Sequence, residues 1–161
     1  MVPLKITGRF PGPKQRQAYE KALGEFLVAF NRMENVLREL VELSLDALGR
    51  PEFWKHLKGA GLPEQARYMV LLSMANPKLP DIPFEAVLEL NSNRNALAHG
   101  HYYERFDRDG YTIVGKDKER PFPIEDINKL AEHANEIAGE FERDLLRMYR
   151  MMDEDELGLS T

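Results

Sequence analysis

The sequence predicts an all-α fold of four main helices and one short one, with a small β-hairpin late in the chain. Three observations lead there: two long stretches with apolar residues at steps of three and four, Gly and Pro at their ends, and an aromatic, β-branched patch split by Asp109-Gly110. At 161 residues the chain fits one domain, large enough to bury a core without cross-links.

The first element spans about residues 14–48. Tyr19, Leu23, Phe26, Phe30, Met33, Leu37 and Leu40 form a stripe that Leu27, Val41 and Leu45 widen. Leu48-Gly49-Arg50-Pro51 stops it, because Gly suits the left-handed position after a helix and Pro opens the next element. A short segment follows around Phe53 to Leu57, with Phe53, Trp54 and Leu57 expected to pin it to the core. One helix starts near Pro63 and runs to about Ala75, and another runs from Pro83 to His99. Next, His101 to Phe106 and Tyr111 to Val114 read as the two strands of a hairpin. After Pro123, Glu125 and Asp126 complement the dipole of a last long helix, whose stripe is Ile127, Leu130, Ala134, Ile137, Phe141, Leu145 and Met148. Residues 1–13 read as an extended, mobile segment, 14–152 as one helical domain and 153–161 as a frayed acidic tail, with Met151 and Met152 finishing the stripe before it.

Composition excludes several classes. The chain has no Cys, which removes disulfides, thiol nucleophiles and thiolate metal sites. A formal charge of −5, with basic residues scattered among acidic ones, offers nucleic acid no broad positive surface, so any such contact must be local. The opening residues lack a secretory pattern, and no stretch approaches the about 20 apolar residues of a spanning helix, so a cytoplasmic protein without membrane contact is expected. No Walker loop, dinucleotide glycine pattern or nucleophile elbow is present. His56 and His133 are isolated and His99-x-His101 lacks a third ligand, so neither a metal site nor a cofactor is expected.

The segment of greatest chemical interest is Arg94-Asn95-Ala96-Leu97-Ala98-His99. On a helix Asn95 and His99 share a face, while Arg94 sits about 100° round and reaches in with its long side chain. His99 falls in the last turn, where the dipole favours a cation, and Gly100 supplies the cap. A cationic His beside an Arg suits a phosphate. The same residues also suit an ordinary helix end, with Asn91, Asn93 and Asn95 as polar turns of a surface face.

The string Arg94-Asn95-Ala-Leu-Ala-His99-Gly100-His101-Tyr102 resembles the Arg-polar-three-residues-His motif of HEPN domains, and the resemblance covers roughly residues 15–150. It implies a four- to five-helix up-and-down bundle with the motif near the end of a late helix. It further implies a metal-independent endoribonuclease acting as a homodimer, two motif copies forming one composite site on an RNA substrate. In that role His99 would serve as proton acceptor or donor, Arg94 would hold the developing phosphorane charge, and Asn95 would orient His99 or the phosphate. Toxin–antitoxin or phage-defence settings, with an antitoxin or other protein partner, belong to the same expectation. The alternative is a non-catalytic HEPN scaffold that binds a nucleotide or a protein. In one subset of the family the His is followed two residues on by a Tyr that an antitoxin modifies; here that position is His101 and Tyr102 comes one later, which departs from the scheme.

Three supporting residues complete the reading. Glu34 interrupts the first stripe, and either pairs with Arg94 or His99 or is a solvated flank residue. His101 either contacts RNA or begins the hairpin. Tyr102, with Tyr103, Phe106 and Tyr111, either stacks an unpaired base or packs the hairpin onto the bundle.

Overall fold

The computed structural model describes residues 12–99, 101–104, 111–114 and 119–156. Helix α1 (Pro13–Ala47) is followed by a 3-10 turn (Pro51–Phe53), α2 (Trp54–Leu57), α3 (Leu62–Ala75) and α4 (Phe84–His99). Three short strands then precede the last helix: β1 (His101–Glu104), β2 (Tyr111–Val114), β3 (Glu119–Pro121) and α5 (Ile124–Glu156). Five helices thus dominate the described residues.

Helix α1 begins on Pro13 and ends in a Schellman cap. Gly49 takes φ +68°, the Arg50 N–H donates to the Leu45 carbonyl at 2.8 Å, and the Gly49 N–H donates to that of Asp46 at 2.9 Å. Its stripe is buried through Tyr19, Phe26, Phe30, Met33, Leu37, Leu40, Val41 and Leu45, while Leu23 and Leu27 flank the core. Helix α5 buries Ile127, Ala131, Ala134, Ile137, Ala138, Phe141 and Met148, with Leu130 and Leu145 half-buried.

These two helices pack along one another, and their contacts fix the direction. A groove of about 780 Å³ is walled by Glu20 to Ala29 on one side and Asn128 to Asn135 on the other. Further along, Arg32 donates from Nε to Glu142 Oε1 (2.8 Å), from Nη2 to Oε2 (2.6 Å) and from Nη1 to Asn135 Oδ1 (3.4 Å). Further still, the Ser44 hydroxyl, which donates to the Leu40 carbonyl at 2.7 Å, lies 3.9 Å from Met148 Sδ and 3.6 Å from Met69 Sδ. Numbers rise together along both helices, so α1 and α5 run parallel. A strict alternation of four helices would leave the first and last antiparallel; a parallel pair requires an even number of reversals between them.

Helix α3 packs on α1 and α4. Gln65, fully buried, holds the α2–α3 turn by donating from Nε2 to the carbonyls of Leu57 (3.2 Å) and Ala60 (3.1 Å). Of the three residues expected to pin the short segment, Leu57 is buried and Trp54 half-buried, but Phe53 is 50% exposed. The reason is spacing: Phe53 closes the 3-10 turn before α2 begins, so its side chain falls outside the helical stripe that places Leu57 inward.

The strands pair antiparallel in the order β1-β2-β3, with His101 opposite Val114 and Thr112 opposite Pro121. The expected turn at Asp109-Gly110 lies outside the described residues, as do the cap at Gly100 and residues 1–11. β3 has no counterpart in the sequence reading, since Glu119-Arg120-Pro121 shows neither alternation nor β-branching. Helix α5 continues through Asp153, Glu154, Asp155 and Glu156, and residues 157–161 lie outside the description. Met152 is half-buried against the core, whereas Met151 is 38% exposed. Among the described residues no helix is long and apolar enough to cross a membrane.

Candidate functional site

Helix α4 turns an apolar stripe of Val87, Leu90 and Leu97 inward, and the next places on that side belong to Asn93 and Arg94. The stripe steps from Leu90 by three to Asn93 and by four to Arg94, so two polar side chains stand where the core face expects apolar ones. Each is resolved by a specific partner, because an unpaired buried polar group is costly.

Arg94 is half-buried, with its guanidinium carbon 5.7 Å from the centroid of the Phe30 ring. Phe30 is itself buried and meets Phe26 edge to face at 6.2 Å. From this seat Nη1 donates to Asn95 Oδ1 at 3.0 Å. The long Arg94 side chain therefore runs from the aromatic core of α1 to the solvent side of α4, and its planar head is held in place at both contacts.

Asn95 and His99 are exposed. One turn apart on α4, their β-carbons are separated by about 5–6 Å, the usual spacing of an i, i+4 pair. His99 ends the helix. Among the described residues no hydrogen bond or ion pair engages its imidazole, which leaves both ring nitrogens to an incoming group. The structure thus joins Arg94 to Asn95 directly and sets His99 one turn away.

The supporting residues fare differently. Glu34 is 26% exposed at its side chain and meets Arg38 Nη2 at 3.8 Å, one turn along α1. It pairs with neither Arg94 nor His99 among the described residues, because Arg94 is already committed to Phe30 and Asn95. His101 and Tyr102 lie in β1, which follows α4 closely; their side chains fall outside the description.

Asn93, read from the sequence as part of a polar surface, is 5% exposed. Its Nδ2 donates to the Glu89 carbonyl at 3.0 Å, and its Oδ1 accepts from Arg120 Nη1 at 3.1 Å. The Arg120 guanidinium in turn stacks on buried Phe122, 4.5 Å from the ring centroid. This network ties β3 to α4 one residue from Arg94. Asn93 was traceable as a polar residue on the apolar stripe; Arg120 carried no such mark, because its role depends on a strand that brings it 27 residues back along the chain.

No group of three or more His, Asp or Glu side chains among the described residues is placed to hold a metal ion. The groove between α1 and α5 presents Glu20, Glu25 and Glu132 against a single Lys21, a charge balance unsuited to phosphate. Comparison of the chain with known protein families, with curated proteins and with solved structures gives no significant match.

Proposed function

We propose that the protein is a HEPN-type, metal-independent endoribonuclease acting as a cytoplasmic homodimer, with a composite site made of Arg94, Asn95 and His99 from each subunit. The observation that supports it best is the fixed guanidinium of Arg94, held by Phe30 and Asn95 near His99, whose imidazole has no partner among the described residues, at the end of α4. The bundle is read as a five-helix up-and-down arrangement carrying a hairpin after the motif helix. Alternation through five helices makes the first and last parallel, as α1 and α5 are.

In the proposed reaction the 2′-hydroxyl of RNA attacks the adjacent phosphorus, forming the 2′-O–P bond as the P–O5′ bond breaks. One His99 takes the 2′ proton and the His99 of the second subunit gives a proton to the departing 5′ oxygen, leaving a 2′,3′-cyclic phosphate. Arg94 holds the charge of the phosphorane, and Asn95, which accepts from it, keeps the guanidinium aimed. A toxin–antitoxin or phage-defence setting with a protein antidote fits this activity.

The test is cleavage of mixed RNA in EDTA by wild type, His99→Ala and Arg94→Ala. General acid–base groups contribute about 10²–10⁴-fold, so His99→Ala is expected to lose cleavage by that factor while keeping its helical signal, since His99 is exposed. Equal cleavage by all three, or none by wild type, refutes the reading. The net charge of −5 favours the rival, a non-catalytic scaffold for a nucleotide or a protein, and harmless high-level expression without cleavage would establish it.

A further inference from the structure

The outward face of α5 carries its charges in blocks. Successive residues advance 100° round a helix, which puts Glu132, Glu136, Glu140, Arg143, Arg147 and Arg150 within one narrow arc directly away from buried Ile127, Ala134 and Phe141. All six are exposed. The first three are acidic at steps of four, and the last three are basic at steps of four and three. Within each block this order is unfavourable, because like charges at those spacings face each other and repel, whereas Glu140 and Arg143 at the junction, and Lys129 and Glu154 on the same arc beyond its ends, are opposite in sign to their neighbours. An alternation of Glu and Arg along the same face would be favourable locally. Among the described residues the ion pairs of this part of α5 are Glu142 with Arg32 and Asp144 with Arg147, so the acidic block and Arg143 and Arg150 are left without one.

The pattern is self-complementary. In an antiparallel pairing about a two-fold axis near Phe141 and Glu142, Glu140 opposes Arg143 of the second copy, Glu136 opposes Arg147, and Glu132 opposes Arg150. Each pair occurs twice by symmetry. Gly139 lies on the flank of the same arc, where an added Cβ would meet only Arg143 Nη1 at 3.7 Å, and Leu146, 59% exposed, lies beside it. The same two-fold lays Leu146 of one copy over Gly139 of the other. Arg143, Leu146, Arg147 and Arg150 also wall a groove of about 530 Å³ on this face.

We propose that a second copy of this chain docks antiparallel on the outward face of α5, through these charge blocks and Leu146. Such an interface stands apart from the reading above: α4, which carries Arg94 and His99, packs on α3 and α1, so a two-fold on the outward face of α5 does not itself bring the two motifs together. A protein that dimerises here and cleaves no RNA keeps the one and loses the other.

The experiment is sedimentation equilibrium of the full chain. At about 0.01 M salt, where charges act over about 30 Å, wild type is expected to be dimeric, and at about 1 M, where the range shrinks to about 3 Å, it shifts towards monomer. The triple variant Arg143→Glu/Arg147→Glu/Arg150→Glu and the opposite triple Glu132→Arg/Glu136→Arg/Glu140→Arg are each expected to be monomeric at low salt. Mixed together, they recombine as a one-to-one heterodimer, and the six-fold swap in one chain restores the homodimer. Circular dichroism reports folding of each; should the arginine reversal fail to fold, the loss of dimer in the glutamate reversal decides alone. A wild type monomeric at low salt, or a dimer that survives either folded reversal, overturns the proposal. RNA cleavage measured on the same samples reads the catalytic proposal separately.

Discussion

Removing the Asn93 side chain is expected to loosen β3 from α4, and the structure supplies the size of the effect. Asn93 is 5% exposed and makes two hydrogen bonds, one to the Glu89 carbonyl at 3.0 Å and one from Arg120 at 3.1 Å. A neutral hydrogen bond nets about 1 kcal/mol and one to a charged group about 1.5–3, the lower end applying here because water compensates exposed Arg120. Asn93→Ala is therefore expected to cost about 2.5 kcal/mol, or about 5–10 °C in Tm for a domain of this size. Arg120→Ala loses the same bond together with its stacking on Phe122, which at an exposed site is worth about 0.5–1 kcal/mol. The decisive assay is a double-mutant cycle from urea unfolding followed by circular dichroism. The two residues share one bond, so the double variant should cost about 1.5 kcal/mol less than the sum of the singles. Additivity within about 0.3 kcal/mol refutes the coupling and, with it, the claim that the strand is anchored beside Arg94.

Two glycine substitutions should act in opposite directions. Gly49 sits at φ +68° with open space around it, so Gly49→Ala costs about 1 kcal/mol through backbone strain alone, whereas Gly24, exposed inside α1 with nothing near its missing Cβ, gains about 0.5–1 kcal/mol on becoming Ala. Equal signs in thermal unfolding would contradict the cap. The Arg32 hydrogen bonds, ahead of its opposing burial and its charge, hold the Glu142 carboxyl below its ordinary 4.5. A depressed carboxyl contributes stability that is complete above that ordinary value and lost as pH falls through the lowered one. Glu142→Gln should therefore match wild type most closely in strong acid, fall behind it as pH rises from the lowered value to about 4.5, and keep a constant deficit above that. Asp144, which burial pushes up, acts in the opposite sense and is common to both proteins, so it cancels from the comparison. A pH-independent difference would show that the pair has no ionic part.

Much of the fold was legible because side-chain direction on a helix repeats with the chain itself. Tyr19 to Leu45 and Ile127 to Met148 announced their inward faces without reference to any neighbour, and Gly49 announced the end of α1 through a backbone angle few other residues adopt. The motif residues were legible for the same reason: their spacing alone placed Asn95 and His99 on one side of α4. Phe53 and β3 were not, since a 3-10 turn shifts the phase of the pattern and a three-residue strand is too short to show one.

The sequence by itself determined where the helices run, which stripe of each is apolar, and that an Arg, an Asn and a His gather near the end of α4. Only the tertiary structure decided what those side chains meet. The seat of Arg94 on Phe30 and the burial of Asn93 under Arg120 depend on which partners lie within a few ångströms, and in both the partner comes from a distant element. Parallel α1 and α5 belong to the same class of fact, because the direction of packing is set by the connections and the core they jointly bury. Local periodicity carries no record of either.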